Sequence, residues 1–341
     1  MIIGEDGIRH EEDEAIKAVY QQYYQELLKT KEATCTEERN AEECVEIVMS
    51  SLHKIWEVTS WSFPNELMQP LMNSAIKRLK KRKAVDEAKW RNEFILIGGE
   101  PVKEGLGILF KMMYNQKTIP SVWELTRIKS IAKDHTKRID HRRGLFITNI
   151  IGKIFERLIK ERNQEEGNML TMSPFQCGGV KGRSTVDNVF TLIAIIQRNQ
   201  YLGLSTYCVF IDLTKCFDKL WLEDCLVELM KAGMNIDDVK MVYEMNKVAK
   251  VVVDTPVGDT DQFEVRDTVK QGTIFGPVMC GLSTGRINEI NERVVTMYGP
   301  EVEIEPLVYV DDMNNGGDKP NSEKIYVIVE VLNYKKRQRL I

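Results

Sequence analysis

The chain has 341 residues, of which 43% are hydrophobic and 29% are charged, and its net charge is −4. This is the composition of a globular protein with room for two or three units that each have a hydrophobic core. No apolar run approaches the roughly 18 to 20 residues that span a bilayer, and the N-terminus lacks the basic leader and apolar segment of a secretory signal. A membrane protein or a secreted protein is therefore not expected.

Cysteine usage and charge distribution add two expectations. The seven cysteines include no Cys-x-x-Cys pair, which favours reduced, intracellular thiols over disulfides or a zinc site. Residues 1–70 carry 6 basic and 15 acidic side chains, whereas residues 71–165 carry 22 basic and 11 acidic ones, a balance of +11. Basic surface of this kind attracts nucleic-acid backbone. For the lysine-rich run 77–83 taken alone, a solvated helix face is an equal alternative.

The first part of the chain is predicted to be helical. Apolar residues recur at helical spacing over 11–29 and 41–57, a third helix begins at Pro64, and a fourth covers 101–118. The alternation from Thr126 to Ile131 then predicts a strand with one basic face.

The middle of the chain leads to the first candidate carboxylate. Helices are predicted over Ile150–Ile159 and from Val186 to about Tyr201. The apolar run Tyr207–Leu213 follows as a strand and contains Asp212, with Phe217 five residues later.

The next elements connect this strand to a second acidic site. Helices are predicted over Trp221–Lys231 and Ile236–Val248, strands over Lys250–Asp254 and Phe263–Lys270, and a largely helical segment over 273–297.

The last predicted strand carries two adjacent acids. Leu307–Val310 has strand-forming residues, Asp311 and Asp312 follow, and Met313–Gly317 is predicted to be a turn, so that both acids lie at the tip of a hairpin. An Asp-Asp pair alone is more often a solvated turn. Two apolar strands that each deliver carboxylates, however, form an oxygen-rich site for hard cations such as Mg²⁺, which suits two-metal phosphoryl or nucleotidyl transfer.

Three blocks, in this order, resemble the palm of reverse transcriptases, most closely those of non-LTR (LINE-like) retrotransposons. They are Tyr207–Leu213 with Phe217 and Asp218 after it, Val269–Pro277, and Tyr309–Asp312. The helix Ile150–Ile159 also matches the family well, and Pro120–Lys133 and Phe175–Thr185 resemble further family blocks. The chain departs from the family at two places: only Arg143 of an Asn-Tyr-Arg-Pro-Ile-Ser block is retained cleanly, and Gly179 replaces an aromatic residue.

The resemblance implies an α+β fold, a polymerase right hand with fingers and palm in which helices flank a mixed β-sheet palm. It covers roughly residues 66–320 and fades after Gly317, which implies truncation before the thumb. The expected organisation is an acidic helical linker region at 1–63, a basic fingers-like segment at 64–205, a palm at 206–320 and a divergent tail at 321–341.

The resemblance also implies a role for each candidate site residue. Asp212, Asp311 and Asp312 would bind two Mg²⁺ (or Mn²⁺) ions about 3.5–4 Å apart. Phe217 would exclude a 2′-hydroxyl and so favour deoxynucleotides, although a core phenylalanine is the ordinary alternative.

The remaining candidates would contact nucleotide and template. Gln271 and Gly272 would lie against the templating base pair, and Lys133 with Arg143 would neutralise the triphosphate. Arg183, with Lys181 beside it, would hold template phosphate.

Three functions remain open at this point. The first is an RNA-directed DNA polymerase that uses dNTPs on a primed RNA template, for which nuclear residence follows only from the family. The second is a catalytically inactive retroelement remnant that at most binds nucleic acid. The third is an RNA-templated RNA polymerase, which Phe217 disfavours.

Overall fold

The computed structural model describes residues 1–29, 36–60, 62–167, 172, 176–180, 182–203, 206–212, 216–270, 272–285, 305–309 and 312–318. Within these ranges the helices are α1 (Asp13–Leu28), α2 (Thr36–Val58), α3 (Asn65–Lys77), α4 (Asn92–Ile97), α5 (Gly99–Gln116), α6 (Ile150–Glu165), α7 (Thr185–Tyr201), α8 (Cys216–Lys219), α9 (Leu222–Lys231), α10 (Ile236–Asn246) and α11 (Gly276–Gly285). The strands are β1 (Ile2–Ile3), β2 (Arg9–His10), β3 (Leu125–Ala132), β4 (Arg142–Ile147), β5 (Thr206–Asp212), β6 (Val248–Thr255), β7 (Gly258–Asp259), β8 (Phe263–Arg266), β9 (Glu305–Tyr309) and β10 (Asp312–Asp318).

A mixed five-stranded sheet combines two distant parts of the chain. Its order is β4-β3-β6-β7, with β8 also paired to β6. Strand β3 is antiparallel to β4 and parallel to β6. The strands β6–β8 come from the segment predicted to be the palm, yet they extend the sheet of the β3–β4 hairpin, which lies in the segment predicted to be fingers-like.

Helix α1 covers one face of this sheet. Burial alternates along β6, and Ala249, Val251 and Val253 of that strand are fully buried. Tyr20 and Tyr24 of α1 share their hydrophobic cluster, and the Tyr24 hydroxyl donates to Ser130 Oγ of β3 at 3.0 Å. The region predicted as a linker therefore supplies part of the core of the sheet.

A second hydrophobic core is built from helices. Buried residues of α2, α3, α5, α6, α9 and α11 form one cluster. A buried polar network crosses it, in which Arg162 of α6 contacts Asp238 of α10 at 3.2 Å and also bonds the Tyr114 hydroxyl of α5. Asn163 donates to the other oxygen of Asp238 at 2.6 Å. These bonds tie the C-terminal end of α6 to α5 and α10.

A three-stranded antiparallel sheet, in the order β5-β10-β9, joins the two acidic segments. The prediction that Met313–Gly317 forms a turn is wrong, because these residues lie in the central strand β10. Asparagine and glycine are poor strand formers, but pairing on both sides satisfies the main-chain groups of β10 and outweighs that preference.

The mixed α/β content agrees with the predicted α+β class. Residues 319–341, which include the predicted divergent tail, lie outside the described ranges, as do residues 286–297 of the segment predicted to be largely helical. In the part of the chain that the structure describes, we find no helix of the length and apolarity that crossing a membrane requires.

Candidate active site

The two acidic segments meet at one end of the three-stranded sheet. Asp212 is the last residue of β5, Asp312 is the first residue of β10, and the antiparallel register places these two residues directly opposite each other. Residues in such a pair have Cα atoms roughly 4.5–5.5 Å apart and stand on the same face of the sheet. Asp311, the third predicted carboxylate, lies outside the described residues.

The donor chemistry of this pair fits a divalent cation. Carboxylate oxygens are hard ligands of the kind that Mg²⁺ and Mn²⁺ bind, and two like charges held close together are stabilised by a cation. Among the residues whose side chains the structure describes, which exclude those of β5 and β10, no group of three His, Cys, Asp or Glu side chains could hold a metal. The evidence for a cation site at this end of the three-stranded sheet is therefore the backbone register that pairs Asp212 with Asp312.

The segment after Asp212 runs close to the N-terminal helix. Phe217 in α8 is half-buried and packs against the helical core, with its Cε1 atom 4.0 Å from an ideal Cβ position on Gly276. The neighbouring Asp218 faces the tyrosines of α1: burial raises the pKa of Tyr24 to about 12, and the charge of Asp218 acts in the same direction. Phe217 therefore occupies a boundary position, in contact with the core but not enclosed by it.

Gly272 lies against strand β4 in a conformation that favours glycine. Its φ is +98°, and a Cβ atom at this position would be 2.7 Å from the main-chain oxygen of Phe146. A side chain would therefore strain the backbone and collide with a paired strand. Its predicted partner Gln271 lies outside the described residues.

Two buried ionisable residues hold the chain on both sides of Gly272. Lys270 Nζ donates to the main-chain oxygens of Met245, at 2.7 Å, and Val248, at 3.3 Å. Glu156 Oε2 accepts the Ile274 N–H at 2.8 Å. Burial raises the pKa of Glu156 to about 7 and lowers the pKa of Lys270 to about 8.

The sequence analysis did not identify either residue. Glu156 sits in a helix where acids normally face solvent, and Lys270 is the last residue of a predicted strand, where its side chain gives no sign of burial. For Glu156 the sequence offers one signal of burial: the nearby Phe155 and Leu158 belong to the apolar face of α6.

The β3–β4 hairpin carries the two predicted triphosphate contacts. Lys133 and Arg143 are both exposed, and the Lys133 N–H donates to His141 O at 3.0 Å where the hairpin closes. Arg142 points elsewhere: its guanidinium bonds Ser130 Oγ at 2.8 Å and lies over the Tyr20 ring. Because neighbouring strand residues face opposite sides, this arrangement leaves Arg143 on the face away from α1.

Arg183 is exposed in the turn before α7, where its N–H donates to Val180 O at 3.3 Å. Ser184 and Asp187 then form a capping box that starts the helix. Lys181 lies outside the described residues. The contact between Gly272 and Phe146 brings Gly272 to the strand that carries Arg143, whereas Arg183 lies on a separate turn.

Comparison with models of known protein families gives a match over the larger part of the chain. A family model described as "Reverse transcriptase (RNA-dependent DNA polymerase)" matches residues 131–341, which is more than half of the chain. No curated protein matches the chain. The matched range begins in β3 and includes Asp212, Gly272 and Asp312.

Proposed function

The chain belongs to the reverse transcriptase family, and we propose that it is an RNA-directed DNA polymerase of the non-LTR retrotransposon type. Family membership indicates a nucleotidyltransferase whose template is RNA and whose substrates are nucleotides. The finer proposal is that this chain adds dNTPs to the 3′-hydroxyl of a primer annealed to RNA. The observation that carries it is the register that sets Asp212 opposite Asp312.

In this proposal Asp212, Asp312 and the adjacent Asp311 hold two divalent cations, Mg²⁺ or Mn²⁺. When bound, such a pair of ions lowers the pKa of the attacking hydroxyl and neutralises the charge that develops on the triphosphate. The chain itself supplies the hard oxygen donors. It also holds these donors on rigid backbone, because Asp312 begins a strand that is paired on both sides.

The other candidate residues surround the nucleotide. Gly272, with Gln271 before it, would place main chain against the templating base pair, because the absence of a Cβ atom lets this loop lie close to β4. Lys133 and Arg143 on the exposed hairpin would contact the triphosphate, as cations suited to phosphate binding. Phe217 would sit beneath the sugar and favour deoxynucleotides.

Template contact is proposed for Arg183, Lys181 and the basic segment 71–165. Within that segment the run 80–83 is exposed and basic. Two nearby acids are engaged elsewhere, because buried Asp86 accepts the Ile150 N–H at 3.0 Å and Glu87 pairs with Arg127 at 2.8 Å. A third, Glu93, accepts the main-chain N–H of Arg82 at 2.6 Å, and the run carries four basic side chains against it. The positive charge of this run is therefore available to a phosphate backbone.

The architecture that supports this proposal is a fingers-like unit and a palm-like unit that interleave along the chain. We place β6–β8 with the fingers-like sheet, because β6 pairs with β3 and both β7 and β8 pair with β6. We place β5, β9 and β10 with the palm. The N-terminal helices α1 and α2 are then structural parts of the two units.

The test is dNTP incorporation by the purified chain on a primed RNA template with Mg²⁺. We expect Asp212→Asn, Asp311→Asn and Asp312→Asn each to abolish incorporation while nucleic-acid binding is retained. Asp261→Asn, which alters an exposed acid in a loop, is the matched control and should leave incorporation unchanged. Undiminished activity in the Asp212 and Asp311 variants would refute the metal assignment.

An inactive but folded wild-type chain would instead favour the second candidate, a retroelement remnant that at most binds nucleic acid. Its specific support is that only Arg143 of the family block around residues 141–146 is retained cleanly. Comparing incorporation with gel-shift binding on the same primed RNA separates these two functions.

A further inference from the structure

Five hydrogen bonds that involve side chains hold the described residues of the loop from Lys270 to Gly276. Thr273 Oγ1 donates to Lys270 O and accepts the Gly276 N–H, both at 3.0 Å. The Ile274 N–H donates to Glu156, and Lys270 Nζ donates to the main-chain oxygens of Met245 in α10 and Val248 in β6. One anchor precedes Gly272 and the other follows it.

The two anchors are a costly way to stabilise a fold. Glu156 is 1% exposed and Lys270 is 2% exposed, and burying an ionisable group is unfavourable unless its polar atoms are fully satisfied. For Glu156 they are not, because its Oε1 atom is buried and has no hydrogen-bond partner among the described residues. Ionisable groups with such perturbed surroundings are concentrated at functional sites.

A small, partly open cavity lies beside Glu156. Its volume is about 20 Å³, room for about one water molecule, and its lining combines polar side chains such as Glu156, Lys270 and Thr273 with apolar Ile119, Trp123 and Met245. A cavity of this size does not enclose a nucleotide, and Glu156 and Lys270 are both buried. Their effect on a substrate must pass through the loop that they hold.

We propose that Glu156 and Lys270 are positioning residues that hold the 270–276 loop in the conformation that receives the incoming nucleotide. This inference rests on the proposed function, in which Gln271 and Gly272 contact the templating base pair. The Glu156 bond to Ile274 fixes the end of the loop, and the Lys270 bonds fix its beginning. Gly272 is thereby pressed against the Phe146 carbonyl.

The test compares two substitutions of Glu156. Glu156→Leu has a similar volume but removes the acceptor and leaves the Ile274 N–H without its partner, and we expect the KM for dNTP to rise about ten-fold with a smaller change in kcat. Glu156→Gln keeps an acceptor oxygen and should restore KM to within about three-fold of wild type. Lys270→Met removes the other anchor and should behave like Glu156→Leu.

Hydrogen exchange supplies a readout that does not depend on activity. Amides of residues 272–276 should exchange faster in Glu156→Leu and Lys270→Met, and close to the wild-type rate in Glu156→Gln. Asp238→Asn is the matched control, because it also replaces a buried acid by its amide, and Asp238 bonds Tyr114 and Asn163 rather than the loop. It should change neither KM nor exchange at 272–276.

The outcomes separate this inference from the proposed function. Unchanged exchange at 272–276 in both Glu156→Leu and Lys270→Met would overturn the inference whether or not the chain polymerises. Faster exchange with an unchanged KM would overturn the role in nucleotide positioning. If wild type incorporates no dNTP, the proposed function fails and the nucleotide role fails with it, whereas exchange still decides whether Glu156 holds the loop.

Discussion

Replacing Gly272 by alanine tests the candidate site at a position where the structure allows the loss of stability to be calculated. The φ of +98° at this position is one that L-residues rarely adopt, and a left-handed backbone costs a non-glycine residue roughly 1–2 kcal/mol. The new Cβ atom would also lie 2.7 Å from the Phe146 carbonyl oxygen. Phe146 is paired with Ile128 in the sheet, so it cannot move aside without breaking that pairing, and overpacking of this kind costs about 1–3 kcal/mol more.

Gly233 provides the matched control for this substitution. Its φ is +92°, but no atom lies within 4 Å of the position that a Cβ atom would take, so Gly233→Ala incurs only the backbone cost. We expect Gly233→Ala to lose about 1–2 kcal/mol of unfolding free energy and to retain dNTP incorporation. Gly272→Ala should lose about 2–5 kcal/mol, or shift its loop, and should lose most incorporation.

Denaturant unfolding and primed-RNA incorporation, measured on both variants, check these expectations. Equal losses of stability in the two variants would show that Gly272 does not press against β4. Full incorporation by Gly272→Ala would show that the loop has no role in handling nucleotide or template.

Three further predictions follow from the fold and the site. Phe217→Ala should raise ribonucleotide use relative to deoxynucleotide use in single-nucleotide incorporation, whereas unchanged sugar discrimination with a lower Tm would make Phe217 a core residue only. Gly144→Ala should lose about 1–3 kcal/mol of stability in denaturant unfolding, because its Cβ atom would be 2.8 Å from Tyr24 of α1; wild-type stability would contradict the packing of α1 on the sheet. Burial raises the pKa of Glu156 from 4.5 to about 7, so wild type should lose up to about 3 kcal/mol as pH rises through this window. Glu156→Gln should lack that loss, and a constant difference in Tm between the two proteins from pH 4.5 to 8 would refute it.

Burial, and not the neighbouring charges, decides how the titration of Glu156 changes protein stability with pH. Lys153 and Arg157 on its own helix and Lys270 from the loop all favour its charged form, yet burial outweighs them. The folded state therefore binds a proton at Glu156 more tightly than the unfolded state does, and stability falls as that proton leaves. The charge of Glu124 also acts on Lys270, which titrates at a higher pH than Glu156 does. Lys270 is present in both wild type and Glu156→Gln.

Local sequence was sufficient for most of the helices and strands. Hydrophobic periodicity predicts a helix over 11–29 and a strand from Thr126 to Ile131, and the structure has α1 at Asp13–Leu28 and β3 at Leu125–Ala132. The blocks around Asp212 and Asp312 also identified the family, since residue type and order along the chain carry that information. The assigned roles of the individual site residues stay predictions.

Only the tertiary structure decided how these pieces meet. Residues 212 and 312 are a hundred positions apart, and their register is set by strand pairing that neither segment contains by itself. Pairing on both sides makes a strand of Met313–Gly317, where local preference indicates a turn. Glu156 in α6 looks like a solvated helix residue until the loop from Lys270 packs over it, because burial depends on what a distant part of the chain places there.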